Sequence, residues 1–251
     1  MKTRTPILFI LSAFLMALLL GCTQEPSTPT LAGKPTVTPA GSEALGRAVF
    51  AIADEAADLG AVSKIKLTVD SIRVHAQGRD WITLTSTPQT FDLLELKAKG
   101  VAQLLADAQL PPGSYDQIEL NVSKITVVDA QGEHEAKLPS NKLQLKGDLT
   151  VEAGATSTAH FDFLADQSIH KTGDGLYIFA PVIHLETRTR ANAQVQANKE
   201  VRISGGSSKT DAQLGMDAEG NVDAGIRIVP DAVLNISASG KVMQTKGQAL
   251  T

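Results

Sequence analysis

Two segments of the chain, Ile65–Val74 (IKLTVDSIRV) and Ile118–Val127 (IELNVSKITV), share one unusual apolar pattern. In each segment apolar residues alternate with polar ones, slip by one position, and then alternate again. Alternation is typical of a half-buried strand. An unrelieved slip would turn the last apolar residues towards water, whereas a β-bulge adds one residue and returns them to the buried face. The pattern therefore predicts two bent strands near the centre of a curved, twisted β-sandwich.

The slips fall at Asp70-Ser71 and at Ser123-Lys124, at the same offset in both segments. This correspondence has two equally good explanations: an internal duplication, or two unrelated strands that solve the same packing problem. A pattern that occurs only twice does not establish a repeat array. Either origin predicts the same architecture.

Further strands are expected wherever alternating or β-branched runs lie between turn residues. No strands alternate with long helices, so the pattern excludes a parallel α/β sheet. The predicted fold is an all-β, antiparallel β-sandwich, immunoglobulin-like or transthyretin-like, over residues 45–190. The predicted strands are Ala48–Ala53, Lys64–Ala76, Trp81–Leu84, Phe91–Leu94, Tyr115–Val128, Glu133–Leu138, Lys142–Leu145, Leu149–Glu152, Thr156–Phe163 and Leu176–Thr187.

One interval, Lys97–Gln109, departs from the strand pattern. Its apolar residues, including Val101, Leu104 and Ala108, fall at helical spacing, so we expect one short helix there. Residues 191–251 are expected to form a small C-terminal β extension with a frayed end, either docked on the sandwich or appended to it.

The N-terminus resembles the leader of a bacterial lipoprotein. Lys2 and Arg4 precede the apolar run Ile7–Leu20, which is too short to span a membrane and is typical of a signal peptide. Gly21 then precedes Cys22, the only cysteine, as in a lipobox. In lipoproteins the thiol of this cysteine receives a diacylglyceryl group, the chain is cut before the cysteine, and the new N-terminal amine is usually acylated. Two or three acyl chains anchor the protein stably. The alternative is an ordinary secretory signal with an incidental cysteine.

The predicted location is the cell envelope. Retention signals in Gram-negative lipoproteins favour Asp after the cysteine, so Thr23 predicts the outer membrane in such a cell. Cleavage before Cys22 would remove two of the 23 basic residues and none of the 27 acidic ones, leaving a net charge of −6. This charge disfavours nucleic acid and anionic lipid as partners. The expected partners are the membrane, through the acyl chains, and an unidentified extracytoplasmic ligand or protein.

Residues 22–44 comprise Cys22 and the segment Thr23–Ala44, which is rich in Pro, Thr, Ser and Gly and has no apolar period. Such a composition predicts a disordered, partly extended tether. At ~3 Å per residue it would hold the folded body tens of ångströms from the bilayer.

Six blocks of the sequence together resemble a family known as domain of unknown function 4382, which comprises exported bacterial and archaeal proteins, many of them lipoproteins. The resemblance extends from about Gly46 to Leu185 and implies an extracytoplasmic β-sandwich with no established activity. The chain lacks the family's proline within Asp54–Asp58 and has Leu164 where the family tends to carry an acid. The blocks are GRAVFAIADEAADLG, TVDSIRVH, FDLLELKAKGVAQLL, LPPGSYDQIELNVS, FDFLADQSI and GLYIFAPVIHL.

The acidic residues of two loops suggest a calcium site. Asp54, Glu55 and Asp58 lie in one loop, and Asp162 and Asp166 lie in another. Calcium prefers several carboxylate and carbonyl oxygens, which loops at one end of a sandwich can supply. The alternative is that both loops are solvated turns in which Asp bonds its own backbone. No other cofactor is expected.

His160 and Asp162 share one face of a predicted strand, opposite Phe161 and Phe163, and His184 lies on another strand. Together they could form a metal or acid–base site of a metal-assisted hydrolase. The alternative is that they are polar residues on the outer face of an amphipathic strand. No Gly-x-Ser-x-Gly elbow is present. We therefore expect a non-catalytic binding or envelope interaction module rather than an enzyme, with a purely structural envelope component as a third class.

Overall fold

The computed structural model describes residues 44–56, 59–229 and 232–246. Cys22, the predicted tether and Asp58 lie outside these ranges. In chain order the described elements are β1 (Gly46–Asp54), β2 (Val62–His75), β3 (Ile82–Thr85), β4 (Gln89–Asp92), α1 (Leu93–Lys99), β5 (Ala102–Leu110), β6 (Gly113–Asp129), β7 (Gly132–Ala136), β8 (Lys142–Val151), β9 (Thr156–Phe163), α2 (Ala165–Ser168), β10 (Ile169–Lys171), β11 (Tyr177–Phe179), β12 (Val182–Thr189), β13 (Asn192–Val195), β14 (Glu200–Ser204), β15 (Ser207–Met216), β16 (Val222–Ala224), β17 (Val233–Ile236) and β18 (Val242–Lys246).

Two large sheets share one core, which confirms the predicted sandwich. The first sheet has the order β13-β14-β5-β1-β9-β12-β15-β16, and the second has the order β3-β2-β6-β7 with β4 paired to β2 and β8 to β6. The common core contains Phe50 and Ile52 from the first sheet and Leu67 and Ile72 from the second. Neighbouring strands in these sheets are antiparallel except β1 and β9, which are parallel. Smaller two-stranded pairs are formed by β10 with β11 and by β17 with β18.

The two slipped strands, β2 and β6, pair with each other at the centre of the second sheet, as predicted. The register skips Ser123 on β6 and Asp70 on β2, so each strand carries its own bulge. The Ser123 hydroxyl donates to Asp70 Oδ1 at 2.7 Å, which joins the two bulges. Ile125 and Val127, which follow the bulge, are fully buried. The bulges therefore keep the apolar face of both strands on the core.

The helix predicted over Lys97–Gln109 is wrong in position. Helix α1 begins after its N-cap Asp92 and ends at Gly100, which adopts a left-handed conformation. The rest of the interval is strand β5, which pairs with β1. Apolar residues occur on both of its faces, since Leu105 packs in the main core and Leu104 packs on the opposite side. A strand that is covered on both faces has apolar residues on both, so its sequence no longer alternates between apolar and polar residues. In β5 the resulting spacing of apolar residues resembles that of a helix. A second helix, α2, was not predicted.

Two strand boundaries differ from the prediction. The predicted strands Lys142–Leu145 and Leu149–Glu152 are one continuous strand, β8, in which Gly147 lies where the register with β6 is irregular. A β-carbon at Gly147 would lie 2.9 Å from Leu185 Cδ2, so a larger residue would displace this side chain of β12. Pro181 separates β11 from β12, which were predicted as one strand, because proline cannot donate to a ladder.

A satisfied polar cluster around Asp129 ties the β6–β7 turn to β11. The Asp129 carboxylate accepts hydrogen bonds from the Tyr177 hydroxyl (2.8 Å), the Gln131 amide (2.8 Å) and His134 Nε2 (2.9 Å). Burial would raise the pKa of Asp129, but these hydrogen bonds outweigh burial and lower it to about 2. Since both oxygens are occupied, this cluster is a structural link.

Strands β13 to β16, which follow residue 190, belong to the first sheet. The β13–β14 hairpin packs on the outward side of β1, where Val49 and Ala51 meet Ala193 and Val201. This second, smaller apolar cluster covers part of the face turned away from the main core. Neither α1 nor α2, the helices of the described residues, has the length and apolar character needed to cross a bilayer.

Candidate functional site

Adjacent strand ends place the acidic residues Asp54 and Asp162 on opposite faces of the first sheet. The parallel register of β1 and β9 pairs Ala53 with Asp162 and Asp54 with Phe163. Because side chains alternate, Asp54 shares its face with the core residues Phe50 and Ile52. Asp162 therefore points outward, away from the main core.

Asp54 is a buried carboxylate that connects two loops. It is 3% exposed, and its Oδ1 accepts hydrogen bonds from the amides of Ala56 (3.0 Å) and Ala165 (3.3 Å). Its Oδ2 has no hydrogen-bond partner among the described residues. Burial raises the pKa of Asp54 to about 6, against the lowering effect of the two amides and of Lys97.

Asp162 is buried on the outward face, whereas the alternative interpretation of the sequence made it an ordinary polar residue of that face. It is 4% exposed and accepts a hydrogen bond from the backbone of Glu55, while its Oδ1 has no partner in the described part of the chain. Burial and then the negative charge of Glu55 raise the pKa of Asp162 to about 6. Sequence alternation identified the face of Asp162 and missed its burial and its contact with Glu55.

The acidic residues predicted to bind calcium do not form one site within the described ranges. Asp54 and Asp162 face opposite ways, and Asp166 lines a separate cavity of about 490 Å³ beside His170. Burial lowers the pKa of His170 to about 4. Among the described residues, no group of three or more His, Cys, Asp or Glu side chains could hold a metal ion. Asp58, the fifth predicted ligand, lies outside the described residues.

The predicted trio His160, Asp162 and His184 lies on one face, as expected from alternation. Asp162 pairs directly with His184 across β9 and β12. His184 Nε2, however, is 2.6 Å from Asp211 Oδ1 on β15, which orients this imidazole towards the edge of the sheet. Burial lowers the pKa of His160, against the opposing effect of the Glu186 and Glu55 carboxylates. His160 is therefore a neutral imidazole at pH 7.

A cleft of about 440 Å³ opens on this outward face, and we call it the outer cleft. Its floor comes from β1, β9 and β12, and its walls come from β14 and the turn between α1 and β5. Glu186 Oε1 is 2.6 Å from Arg188 Nη2, and Arg188 Nη1 donates to Gly205 O at 3.0 Å. The cleft is lined by Ala53, Asp54, Glu55, Gly100, Val101, Ala102, His160, Glu186, Arg188, Val201, Ile203 and Ser204.

Sequence reasoning missed most of the outer cleft. The alternating polar residues Glu186 and Arg188 of β12 were a usable signal for its floor. The sequence around the wall residues Val201 and Ile203 contains no such signal, because the residues of a short hairpin do not indicate which strand the hairpin will cover.

Residues 46–181 match the family described as Domain of unknown function (DUF4382), and this match covers more than half of the 251 residues. The chain belongs to this family. The resemblance inferred from the six sequence blocks is thereby confirmed. No curated protein and no solved structure matches the chain. The DUF4382 match includes Glu55 and His160 of the outer cleft and ends before Glu186 and Arg188, so only part of this cleft is built from the matched region.

Proposed function

We propose that this DUF4382 protein is a lipid-anchored, extracytoplasmic binding module without catalytic activity, and that the outer cleft is its ligand site. The observation that carries the proposal is a cleft of about 440 Å³ whose apolar walls surround a few convergent polar side chains. Concave, mostly apolar sites of this size with a small number of polar groups are typical of small-molecule binding.

The chemistry of the floor supports binding over catalysis. Arg188 is paired with Glu186, and His160 is neutral. His184, which does not line the cleft, is paired with Asp211. Within the described residues, no serine or cysteine lines the cleft beside a histidine except Ser204, for which no hydrogen bond to His160 exists. These side chains can recognise a ligand without an activated nucleophile.

Binding at the outer cleft is tested by screening small-molecule fragments with methyl-resolved NMR. We expect the signals of Val101, Val201 and Ile203 to shift in a saturable manner. Ile203→Trp should fill the cleft and abolish the shifts, whereas Ile82→Trp on β3 is a matched control at another partly buried isoleucine. Fragments that bind elsewhere, or equally to the Ile203→Trp variant, would contradict the proposed site. Stoichiometric zinc held by His160 and His184 would instead favour a metal-assisted hydrolase.

The proposed anchor is tested by substituting Cys22. The intact chain should partition into the detergent phase and carry an acylated N-terminal cysteine by mass spectrometry. Cys22→Ala should move the protein to the aqueous phase, while Ser27→Ala in the same segment should change nothing. Equal membrane association of the Cys22→Ala variant would exclude a lipid anchor at this residue.

A further inference from the structure

We propose that the outer cleft binds a small organic cation, namely a primary ammonium or guanidinium group on a short aliphatic chain. This inference rests on the proposed function, since it names the ligand class of the same cleft. It follows from the arrangement of charge around His160, from the apolar walls of the cleft, and from the shortage of oxygen ligands for a metal ion.

Two carboxylates act on His160 from different elements. Glu186 is its direct cross-strand partner on β12, and Glu55 lies just beyond the end of β1. Both carboxylates interact electrostatically with the imidazole, which burial nevertheless keeps neutral at pH 7. His184 and Arg188 act on the imidazole in the opposite direction. The space above His160 therefore lies beside two carboxylates, of which Glu186 is paired with a described cation, Arg188, and Glu55 is not.

The only cation that lines the cleft within the described residues is already engaged. Arg188 uses one terminal nitrogen for Glu186 and the other for the Gly205 carbonyl. Glu55, by contrast, forms no ion pair with a described residue. The unbalanced charge in the cleft is consequently negative, and a positively charged ligand would balance it.

Like charges also lie close together on the outward face, beside the cleft. The Glu55 carboxylate raises the pKa of Asp162, which is 4% exposed and whose Oδ1 has no partner among the described residues. A cation near Glu55 would relieve this repulsion as well as occupy the cleft.

The walls distinguish an organic cation from a metal ion. Val101, Val201 and Ile203 present aliphatic surface, which suits a hydrocarbon chain and supplies no oxygen ligand. Calcium requires six to eight oxygen ligands, and among the described residues no group of three suitable side chains converges. An ammonium or guanidinium head on an aliphatic stem satisfies both the charged floor and the apolar walls.

The test compares three probes of one shape and different charge on the full-length protein: n-butylammonium, n-butanol and butyrate. Methyl-resolved NMR of Val101, Val201 and Ile203 reports binding in the cleft. We expect n-butylammonium to bind about tenfold more tightly than the other two, which corresponds to about 1.4 kcal/mol. Glu55→Gln should remove most of this preference and leave n-butanol binding unchanged. Glu219→Gln, in an exposed turn away from the cleft, is the control.

The outcomes separate the two proposals. If n-butanol or butyrate binds as tightly as n-butylammonium, or if Glu55→Gln has no effect, the cation class is wrong while the cleft remains the binding site. If none of the three probes shifts the cleft methyl signals, both proposals fail. Calcium that binds in the cleft and displaces n-butylammonium would replace the organic cation with a metal ion.

Discussion

Asp162 shows that burial, more than residue type, sets the pKa of a carboxylate in this protein. Alternation along β9 puts it on the outward face with His160, where a solvated side chain is the simplest expectation. Asp162 is nevertheless buried, and the backbone of Glu55 donates one hydrogen bond to it. Removal from water disfavours the ionised form, so the folded state retains a proton that the unfolded chain releases.

The direction of the pH effect follows from this difference. The folded pKa of Asp162, about 6, lies above its ordinary value of 3.8. Between these two values the folded protein binds more protons than the unfolded chain, so the contribution of Asp162 to stability decreases as the pH rises through about 6. His160, whose pKa burial lowers, acts in the opposite direction, so the variant must be compared with the wild-type protein at each pH.

We expect Asp162→Asn to raise the free energy of unfolding at pH 7 by on the order of 1 kcal/mol. The amide keeps an acceptor for the Glu55 backbone and removes the buried charge. Near pH 4 the two proteins should be nearly equal in stability. Urea denaturation at both pH values measures the effect, with the exposed Asp80→Asn as control. A variant less stable than the wild-type protein at pH 7 would show that the ionised carboxylate is stabilising.

At the scale of elements, the paired bulges of β2 and β6 are the feature that the sequence predicted best. Their signal is local, because alternation and its slip depend only on which residues of one strand face the core. The structure adds that the bulges oppose each other and that Ser123 and Asp70 are hydrogen-bonded. The two slips therefore compensate each other in the ladder.

Two single-residue deletions in β6 should differ in their effect on stability. Removing Ser123, the bulged residue, leaves unbroken alternation in β6, so Ile125 and Val127 stay on the core face. Removing Asn121 from the alternating part brings Val122 next to Leu120, so Val122 can no longer share the core face with Leu120. Exposure of one such side chain costs about 1.5–3 kcal/mol, which is a large fraction of the stability of a domain.

Thermal unfolding followed by circular dichroism tests this prediction. The Ser123 deletion should keep a cooperative transition at a slightly lower temperature than the wild-type protein, and the Asn121 deletion should unfold at a much lower temperature. Ser123→Ala, which removes only the hydrogen bond to Asp70, is the matched control and should have a small effect. A Ser123 deletion as destabilising as the Asn121 deletion would show that β6 needs the bulge itself and not only its alternation.

On the scale of the whole molecule, the first sheet is covered on both faces over part of its width. Its inner face packs on the second sheet, and the β13–β14 hairpin covers Val49 and Ala51 on the outer face. The hairpin is inserted between β12 and β15, which pair with each other directly up to Thr189 and Ser207. The outer cleft exists because this hairpin covers β1 and leaves the floor around His160 open.

Replacing residues 190–206 with Asn-Gly should convert β12 and β15 into a simple two-residue hairpin. The sandwich should still unfold cooperatively, at a lower temperature because Val49 and Ala51 become exposed. Binding of n-butylammonium should be lost with the wall formed by Val201. Arg202→Ala, on the exposed side of the same hairpin, should alter neither property. Loss of cooperative unfolding in the shortened protein would instead place the hairpin within the folding core.

The sequence alone determined the β-rich class, the central bulged strands and the family, because these depend on local alternation and on ordered blocks of residues. Three features were decided only by the tertiary structure. Residues 102–110 form a strand that is covered on both faces, and Asp54 and Asp162 lie on opposite faces of the first sheet. The β13–β14 hairpin forms one wall of the outer cleft. Each of these depends on which distant segment covers a given face, and burial by a distant segment leaves no periodic signal in the strand that it covers.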